Sequence, residues 1–327
     1  MSEKQVLLKA KNIRKWFPIK KWFFEKQAYV KAVDDVTLNL YRGETLGIVG
    51  ESGCGKSTTG RCILRLIEPT SGEVIFDGVD VTKLSKQEMR KMRKDMQIIF
   101  QDPFSSLDPR KTVLQTIAEP IIANKLVQGK ENIEARVLEL MQTVGLAERL
   151  INSYPHELDG GRRQRIGVAR ALAMEPKFIV CDEPVSALDV SIQAQILNLL
   201  EDLKEKMGLT YIFITHDLSV VNHFADDIAV MYLGQLVEKA PAEELFANPT
   251  HPYTKALLSA IPIPELGEKP ERILLKGEIT SPINPPDACR FAKRCNYACD
   301  KCNQKCPELV EIRPGHFVSC HLWEDFV

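Results

Sequence analysis

Residues 45–57 read TLGIVGESGCGKS. Residues 45–49 (TLGIV) form a short apolar run ahead of Gly50, as a strand buried on both faces of a parallel sheet does. Gly50, Gly55, Lys56 and Ser57 then fall at the spacing G-x-x-x-x-G-K-[ST], and a helical pattern opens at Lys56. Glycines let the backbone curl with its N–H groups pointing inward, and the following helix adds its positive end, so the segment suits a polyphosphate. The spacing predicts that Lys56 reaches the β- and γ-phosphates of ATP and that the Ser57 hydroxyl ligates Mg2+. Ser52, Gly53, Cys54, Gly55 and Thr58 complete the expected nucleotide contacts. A glycine turn that only capped a helix would need no apolar strand in front of it.

Upstream, the first 43 residues alternate short apolar runs with turns (VLLKA, an aromatic-rich segment, VDDVTLNL), which predicts a small antiparallel sheet. Downstream, EVIFDGVDVT at 73–82 predicts a hairpin turning at Asp77-Gly78. Residues 103–165 read as mostly helical, and 131–144 carry an apolar face at helical spacing with Gly145 as the stop. FIVC at 178–181 and YIFI at 211–214 predict two more buried strands, with an amphipathic helix over 191–206 between them. Strands alternating with helices predict a parallel α/β core carrying a helical insertion. Past residue 246 prolines become dense, which predicts a tail draped outside that core.

With 43 Lys+Arg against 44 Asp+Glu the net charge is −1, so no broad basic face calls for a nucleic-acid partner. The start, MSEKQVLLKAKNIRKW, has no apolar h-region and no small-residue cleavage site, which speaks against secretion. Nowhere do about 18 apolar residues run together, as a spanning helix requires; a membrane role must be borrowed from a partner. Three cysteines (Cys54, Cys62, Cys181) lie in the first 245 residues, and six (Cys289, Cys295, Cys299, Cys302, Cys306, Cys320) crowd the tail. In a reducing cytosol such a cluster reads as metal ligands before disulfides.

A loop that binds triphosphate needs a carboxylate at the end of a neighbouring strand to hold Mg2+, and Asp182 follows FIVC. Glu183, one residue on, is suited to orient or deprotonate the attacking water. An Asp-Glu pair after a strand is by itself more often a solvated loop; the phosphate loop is what raises it to a candidate.

Gln101 in IIFQDP, LDGGRRQR at 158–165, Asp182-Glu183, Ser186-Ala187-Leu188-Asp189 and His216 follow one another in the order and rough spacing of the ABC-transporter ATPases. The chain resembles that family from residue 7 to about residue 240. The resemblance implies a P-loop NTPase (RecA-like) core over 1–102 and 166–245, a helical signature subdomain over 103–165 and a tail over 246–327. It also implies roles. Gln101 contacts Mg2+ or the lytic water, His216 hydrogen-bonds the γ-phosphate, and Asp189 aligns a subunit interface with Asp159, Gly160, Gly161 and Arg162 of the signature. Phe17 stacks on adenine by position, although Trp16, Trp22, Phe23 and Tyr29 crowd the same segment and ordinary aromatic packing explains Phe17 equally well.

The signature departs from the family, which usually has Ser at position 159 and Gln at 162. Here they are Asp159 and Arg162. In the family, one subunit's signature faces the γ-phosphate held by the other. A carboxylate at about 4 Å from that phosphate is opposed by about 1 kcal/mol in water and about 4 at an effective dielectric of 20; Arg162 offsets part of this. Asp159 also suits a helix N-cap. The expectation is an asymmetric pair: this chain lends a weak signature, while its own loop awaits a better one from a different subunit.

HPYTKALLSAIPIP at 251–264, FQDPFSSLDPR after Gln101, and the Cys-rich tail resemble the oligopeptide/dipeptide importers, and most closely the second of their two ATPase subunits. Nickel and glutathione importers belong to the same group. The resemblance implies a second homologous ATPase subunit (a homodimer when isolated), two membrane permeases, an extracytoplasmic substrate-binding protein reached indirectly, and a peripheral place on the cytoplasmic face of the membrane. It further implies that Cys289, Cys295, Cys302 and Cys320, in the pattern C-x5-C-x6-C with a distant fourth, hold a [4Fe–4S] cluster. Cys299 and Cys306 are extra, and Cys299-x2-Cys302 with Cys306, His316 or His321 leaves a tetrahedral Zn2+ site open as the alternative. A soluble ABC ATPase acting on ribosomes or DNA, and a redox sensor with a structural nucleotide, are the competing readings. One cassette with a short insertion weighs against the first, and an intact Glu183 and His216 against the second.

Overall fold

The computed structural model describes residues 5–19, 27–261, 272–277 and 280–326. Trp22 and Phe23 lie outside them. The chain divides into two compact units, Met1–Lys83 with Phe213–Val327, and Leu84–Ile212.

In the first unit, Val6–Ile19 and Ala28–Tyr41 pair antiparallel from Val6↔Tyr41 to Ile19↔Ala28, because alternate residues such as Leu8, Ala10, Val36, Leu38 and Leu40 need one common buried face. Ser71–Phe76 adds to the other edge of the first strand and turns back on itself into Val79–Asp80. Asp77 (φ 48°) and Gly78 (φ 82°) both take the left-handed backbone at that turn, as a two-residue hairpin demands. The antiparallel sheet expected from the N-terminal residues is therefore present, and the Asp77-Gly78 hairpin is part of it.

A second sheet in this unit is built on Thr45–Val49, all five residues buried. It runs parallel to Asp227–Tyr232, from Leu46↔Asp227 to Val49↔Val230. Gln235–Pro241 returns antiparallel beside Asp227–Tyr232. His316–Val318 from the tail then pairs with Gln235–Pro241, and Val310–Arg313 closes the edge.

That last feature corrects the expectation of a tail draped outside the core. Proline density describes the connecting stretches, but the tail also supplies strands and core side chains. Tyr253, Phe291 and His316 are almost wholly buried, and the Phe291 ring meets Tyr232, Tyr253 and His251 at centroid distances of 5.3, 5.4 and 5.6 Å. His251 explains the HPYT segment physically. Its Nδ1 accepts from the Tyr253 N–H at 3.0 Å, capping the helix Pro252–Ser259. Its own N–H and that of Thr250 donate to the buried Glu238 carboxylate at 3.0 and 2.7 Å. Burial pushes the His251 imidazole down to about 4, so it is a neutral acceptor at ordinary pH.

In the second unit, Met96–Ile99 pairs parallel with Phe178–Asp182 from Met96↔Phe178 to Ile99↔Cys181. The stretch expected to be helical carries Val113–Ala123, Lys130–Thr143 and Gly160–Leu172. Thr112 and Gln115 form a reciprocal cap at the start of the first of these. Gly145 (φ 69°) stands just past the end of the second, where a left-handed residue terminates a helix. The amphipathic helix expected over 191–206 spans Val190–Met207. The observed division falls within the strand Thr210–Ile214 and ahead of the helix Lys86–Met92, and it leaves the tail in the same unit as the phosphate loop.

Candidate nucleotide site

In the first unit the loop Gly50–Ser57 joins Thr45–Val49 to the helix Lys56–Ile63. Gly50 (φ 147°) and Gly55 (φ 106°) take backbone that L side chains avoid. They are also pressed against neighbouring strands: a Cβ on Gly50 would lie 2.2 Å from the Met231 carbonyl oxygen, and one on Gly55 2.1 Å from that of Ala32. A Cβ on Gly53 would meet nothing within 4 Å, so its glycine answers only to its φ of 78°. Lys56 is buried, and its Nζ donates to the Gly50 and Glu51 carbonyls at 2.7 and 3.2 Å, which holds the ammonium at the loop. Gly55 brings no capping side chain to the helix, leaving the first N–H groups to the loop's interior. Ser52 and Gly53 are exposed, Ser57 and Thr58 half-buried. Cys54 is buried, and burial raises its thiol pKa despite the Lys56 charge. These residues fit a Mg2+–triphosphate: a tight glycine cradle, a fixed cation, and the Ser57 hydroxyl for the metal.

His216, also in this unit, is exposed just past Thr210–Ile214. The Thr215 N–H before it donates to the Ile48 carbonyl at 3.1 Å, so His216 leaves its strand beside the strand that feeds the loop. Phe17 is 37% exposed, with Lys15 Nζ 5.0 Å from its ring centre. Trp16 is committed elsewhere, donating to Asp34 at 2.9 Å and lying under Lys31. Tyr29 is as exposed as Phe17, at 36%, so among the described aromatics of this segment exposure does not single out Phe17.

In the second unit, Asp182 ends the strand Phe178–Asp182 at 1% exposure. Glu183 follows with φ 48°, an uncommon backbone for a non-glycine residue and typical of functional sites. Its Oε2 accepts from Gln101 Nε2 at 2.8 Å, so the structure brings these two expected residues together. Ser186 N–H and Oγ both donate to the Glu183 carbonyl, at 3.3 and 3.1 Å, fixing the strained turn. Asp189 is exposed at the start of Val190–Met207.

The signature helix Gly160–Leu172 begins at Asp159, whose Oδ1 accepts from the Arg162 N–H at 2.8 Å. Oδ2 lies 3.4 Å from Arg162 Nη1. The cap and the partial neutralisation are both present. A Cβ on Gly161 would come within 2.6 Å of Ile192, and one on Gly160 within 3.0 Å of Leu188, so these glycines also let the signature turn lie close to Val190–Met207. Arg163, one residue further, stacks at 3.7 Å on the Phe104 ring.

The expected four-cysteine metal site is not closed. Among the described residues no three His, Cys, Asp or Glu are arranged to hold a metal ion. Cys306, outside the expected four, has its Sγ 3.5 Å from Gln235 Oε1. Cys299 and Cys302 touch, Sγ to Sγ, at 3.6 Å. Backbone N–H groups of Tyr297 and Leu322 donate to the sulfurs of Cys295 and Cys320 at 3.4 Å each. Burial pushes the Cys289 thiol up to about 12 and that of Cys320 to about 11. Cys289 nevertheless lies within electrostatic reach of Cys295, Cys302 and Cys320, so the four sulfurs are grouped without being drawn onto one centre.

A strand–glycine loop–helix with a fixed lysine, a second strand ending in Asp-Glu, and a signature helix define an ABC-type ATP-binding cassette. Comparison with known proteins agrees. The ABC transporter family pattern matches residues 33–186, and the C-terminal region of oligopeptide/dipeptide transporters matches residues 237–302. The chain is 51% identical to the oligopeptide transport ATP-binding protein AppF of Bacillus subtilis (strain 168), over 98% of this chain and 99% of that protein. It is 51% identical to the oligopeptide transport ATP-binding protein OppF of Salmonella typhimurium, over 98% and 97%. Among solved structures, a dimeric ATP-binding cassette in a post-hydrolysis state bound to ADP and Pi superposes with a TM-score of 0.64 at 34% identity, covering 72% of this chain and 99% of that one. The chain belongs to the ABC transporter ATPases and has their P-loop NTPase fold. Within them it falls in the group carrying the oligopeptide/dipeptide C-terminal region.

One part of this site left no mark in any local stretch of residues. Arg294 and Tyr253, from the tail, hold Glu51 inside the phosphate loop; Glu51 and Arg294 stand 243 residues apart, and no local pattern links them.

The Gln101–Glu183 contact leads to a direct test. If Glu183 is the base, Glu183→Gln keeps the shape and the hydrogen-bonding reach but removes the proton acceptor, so ATP binding should persist while turnover falls by about 10²–10⁴-fold. Single-turnover hydrolysis with parallel nucleotide titration measures both, and near-normal turnover removes Glu183 from the role.

Proposed function

We propose that this ATPase is the peripheral motor of a peptide importer on the cytoplasmic face of the membrane, working with two membrane permeases and a second, non-identical ATPase subunit. The observation that carries this is the tail: its peptide-transporter region is bonded to the phosphate loop through Tyr253 and Arg294. Full-length relatives named for oligopeptide transport support peptide over nickel or glutathione as the cargo class. Among the described residues no helix is long and apolar enough to cross a membrane, which is consistent with force delivered to partners.

The roles we assign follow from chemistry. Lys56 and the loop N–H groups bind the β- and γ-phosphates. Ser57, Asp182 and Gln101 are the Mg2+ ligands, direct or through water; the ion, when bound, neutralises charge on the phosphates. Glu183 takes the proton of the attacking water, with Gln101 orienting its carboxylate. His216 donates to the γ-phosphate. Phe17 stacks on adenine. Purification from native membranes should bring down two permeases and a second ATPase, and turnover by that assembly should rise when a receptor loaded with peptide is added. Stimulation by a nickel or glutathione receptor alone would reassign the cargo.

We also propose that Asp159 makes this chain the weaker contributor of a signature. Its carboxylate is 59% exposed and only partly neutralised by Arg162. Asp159→Ser retains a good N-cap and removes the charge, so ATPase activity of the purified homodimer should rise. An unchanged rate would show that charge repulsion does not limit it.

For the tail, the finer reading is a four-thiolate site for a [4Fe–4S] cluster on Cys289, Cys295, Cys302 and Cys320, with Zn2+ as the alternative. The N–H···S bonds to Cys295 and Cys320 support it, since such bonds stabilise thiolates. Visible absorbance with stoichiometric iron upholds the cluster, and a colourless zinc-loaded protein the alternative. A protein with neither metal retires both, and no step of hydrolysis is routed through this site.

A further inference from the structure

The phosphate loop is gripped from outside by the tail, and the grip centres on Glu51. Arg294 donates from both terminal nitrogens, Nη1 to Oε2 at 2.6 Å and Nη2 to Oε1 at 3.0 Å. This is the paired fork-to-carboxylate geometry that fixes orientation as well as charge. The Arg294 side chain is 8% exposed and that of Glu51 26%. The Glu51 N–H donates to Tyr253 Oη at 2.9 Å, and its carbonyl accepts from Lys56 Nζ at 3.2 Å. One residue of the loop is thus held through side chain, N–H and carbonyl at once.

Arg294 is itself held in place. Its N–H and that of Cys295 donate to the Phe291 carbonyl at 2.9 and 3.0 Å, and the Ala292 N–H to that of Cys289 at 3.1 Å. Phe291 anchors this turn among Tyr232, Tyr253 and His251.

We propose that Arg294, seconded by Tyr253, is a positioning residue for nucleotide binding: the C-terminal region sets the phosphate affinity of a loop more than two hundred residues before it. The physical reason is charge. Glu51 is a carboxylate inside a loop that must accept a polyanion, and it lies beside the lysine that must reach the phosphates. Paired with Arg294 it is neutralised and turned away from both. Unpaired, it repels the phosphates and competes for the Lys56 ammonium.

The inference rests on the assignment of this loop to ATP, and the test separates the two. Binding of a fluorescent ATP analogue and steady-state hydrolysis are measured on the full-length purified chain. If the wild type binds no nucleotide, the ATP assignment itself fails. If it binds, Arg294→Gln should raise Kd and KM about tenfold or more, the size expected for stranding a charged partner, with kcat changed by less than about twofold. Glu51→Gln added to Arg294→Gln removes the stranded carboxylate and should recover most of the affinity, which a merely structural loss would not. Tyr253→Phe keeps the buried ring, removes only the Oη acceptor, and should weaken binding severalfold. A folded Arg294→Gln with wild-type affinity, or a double variant as weak as the single one, overturns the proposal. Should Arg294→Gln not fold, Tyr253→Phe decides, and unchanged affinity there overturns it equally.

Discussion

Backbone crowding around the phosphate loop is the constraint on which this molecule depends. Carbonyl oxygens of Ala32 and Met231 stand where side chains of Gly55 and Gly50 would otherwise be. The chain can pass between them only as glycine, and in passing it turns its N–H groups and the start of the helix Lys56–Ile63 inward. A loop packed this tightly is pre-organised, so little ordering is left to oppose the binding of phosphate. The strands that do the crowding come from both sheets of the first unit: Ala32 from the antiparallel one, Met231 from the one carrying the loop. The two sheets are thus positioned by the same few contacts that shape the cradle.

The second unit uses strain where the first uses crowding. Glu183 is held at φ 48° by two donors from Ser186 and meets Gln101 through its carboxylate. A carboxylate whose backbone is fixed in this way has few orientations left. The signature helix adds another close approach, with Gly161 set against Ile192 and Asp159 holding the first turn. The carboxylate that caps the helix is also the one that, in the role proposed for the signature, would be poorly suited to face a phosphate, so under that proposal local stability and interface chemistry pull Asp159 in opposite directions.

The tail links the features that distinguish this chain from a bare cassette. His251 caps a helix, its neighbour Tyr253 reaches Glu51, and Phe291 locks the turn that presents Arg294. The buried His316 bonds Glu238 at 2.8 Å, and Glu238 in turn accepts from Thr250 and His251. Through this network the two tail strands and the HPYT helix are cross-braced onto the sheet that carries the loop. Its polar groups are paired, as buried charge requires.

Local patterns determined a good deal. Strand Thr45–Val49, the helix opening at Lys56, the Asp77-Gly78 hairpin and the helix stopped by Gly145 were all legible, because each follows from the conformational limits of a few adjacent residues. The order of motifs from Gln101 to His216 named the family for the same reason: each motif is short and chemically constrained. Tertiary structure alone decided what distant residues do to each other. It wove the proline-rich tail into a sheet, set Cys306 against Gln235, and joined Arg294 to Glu51. Strand pairing and ion pairing across hundreds of residues depend on distances in space, which no window of sequence contains.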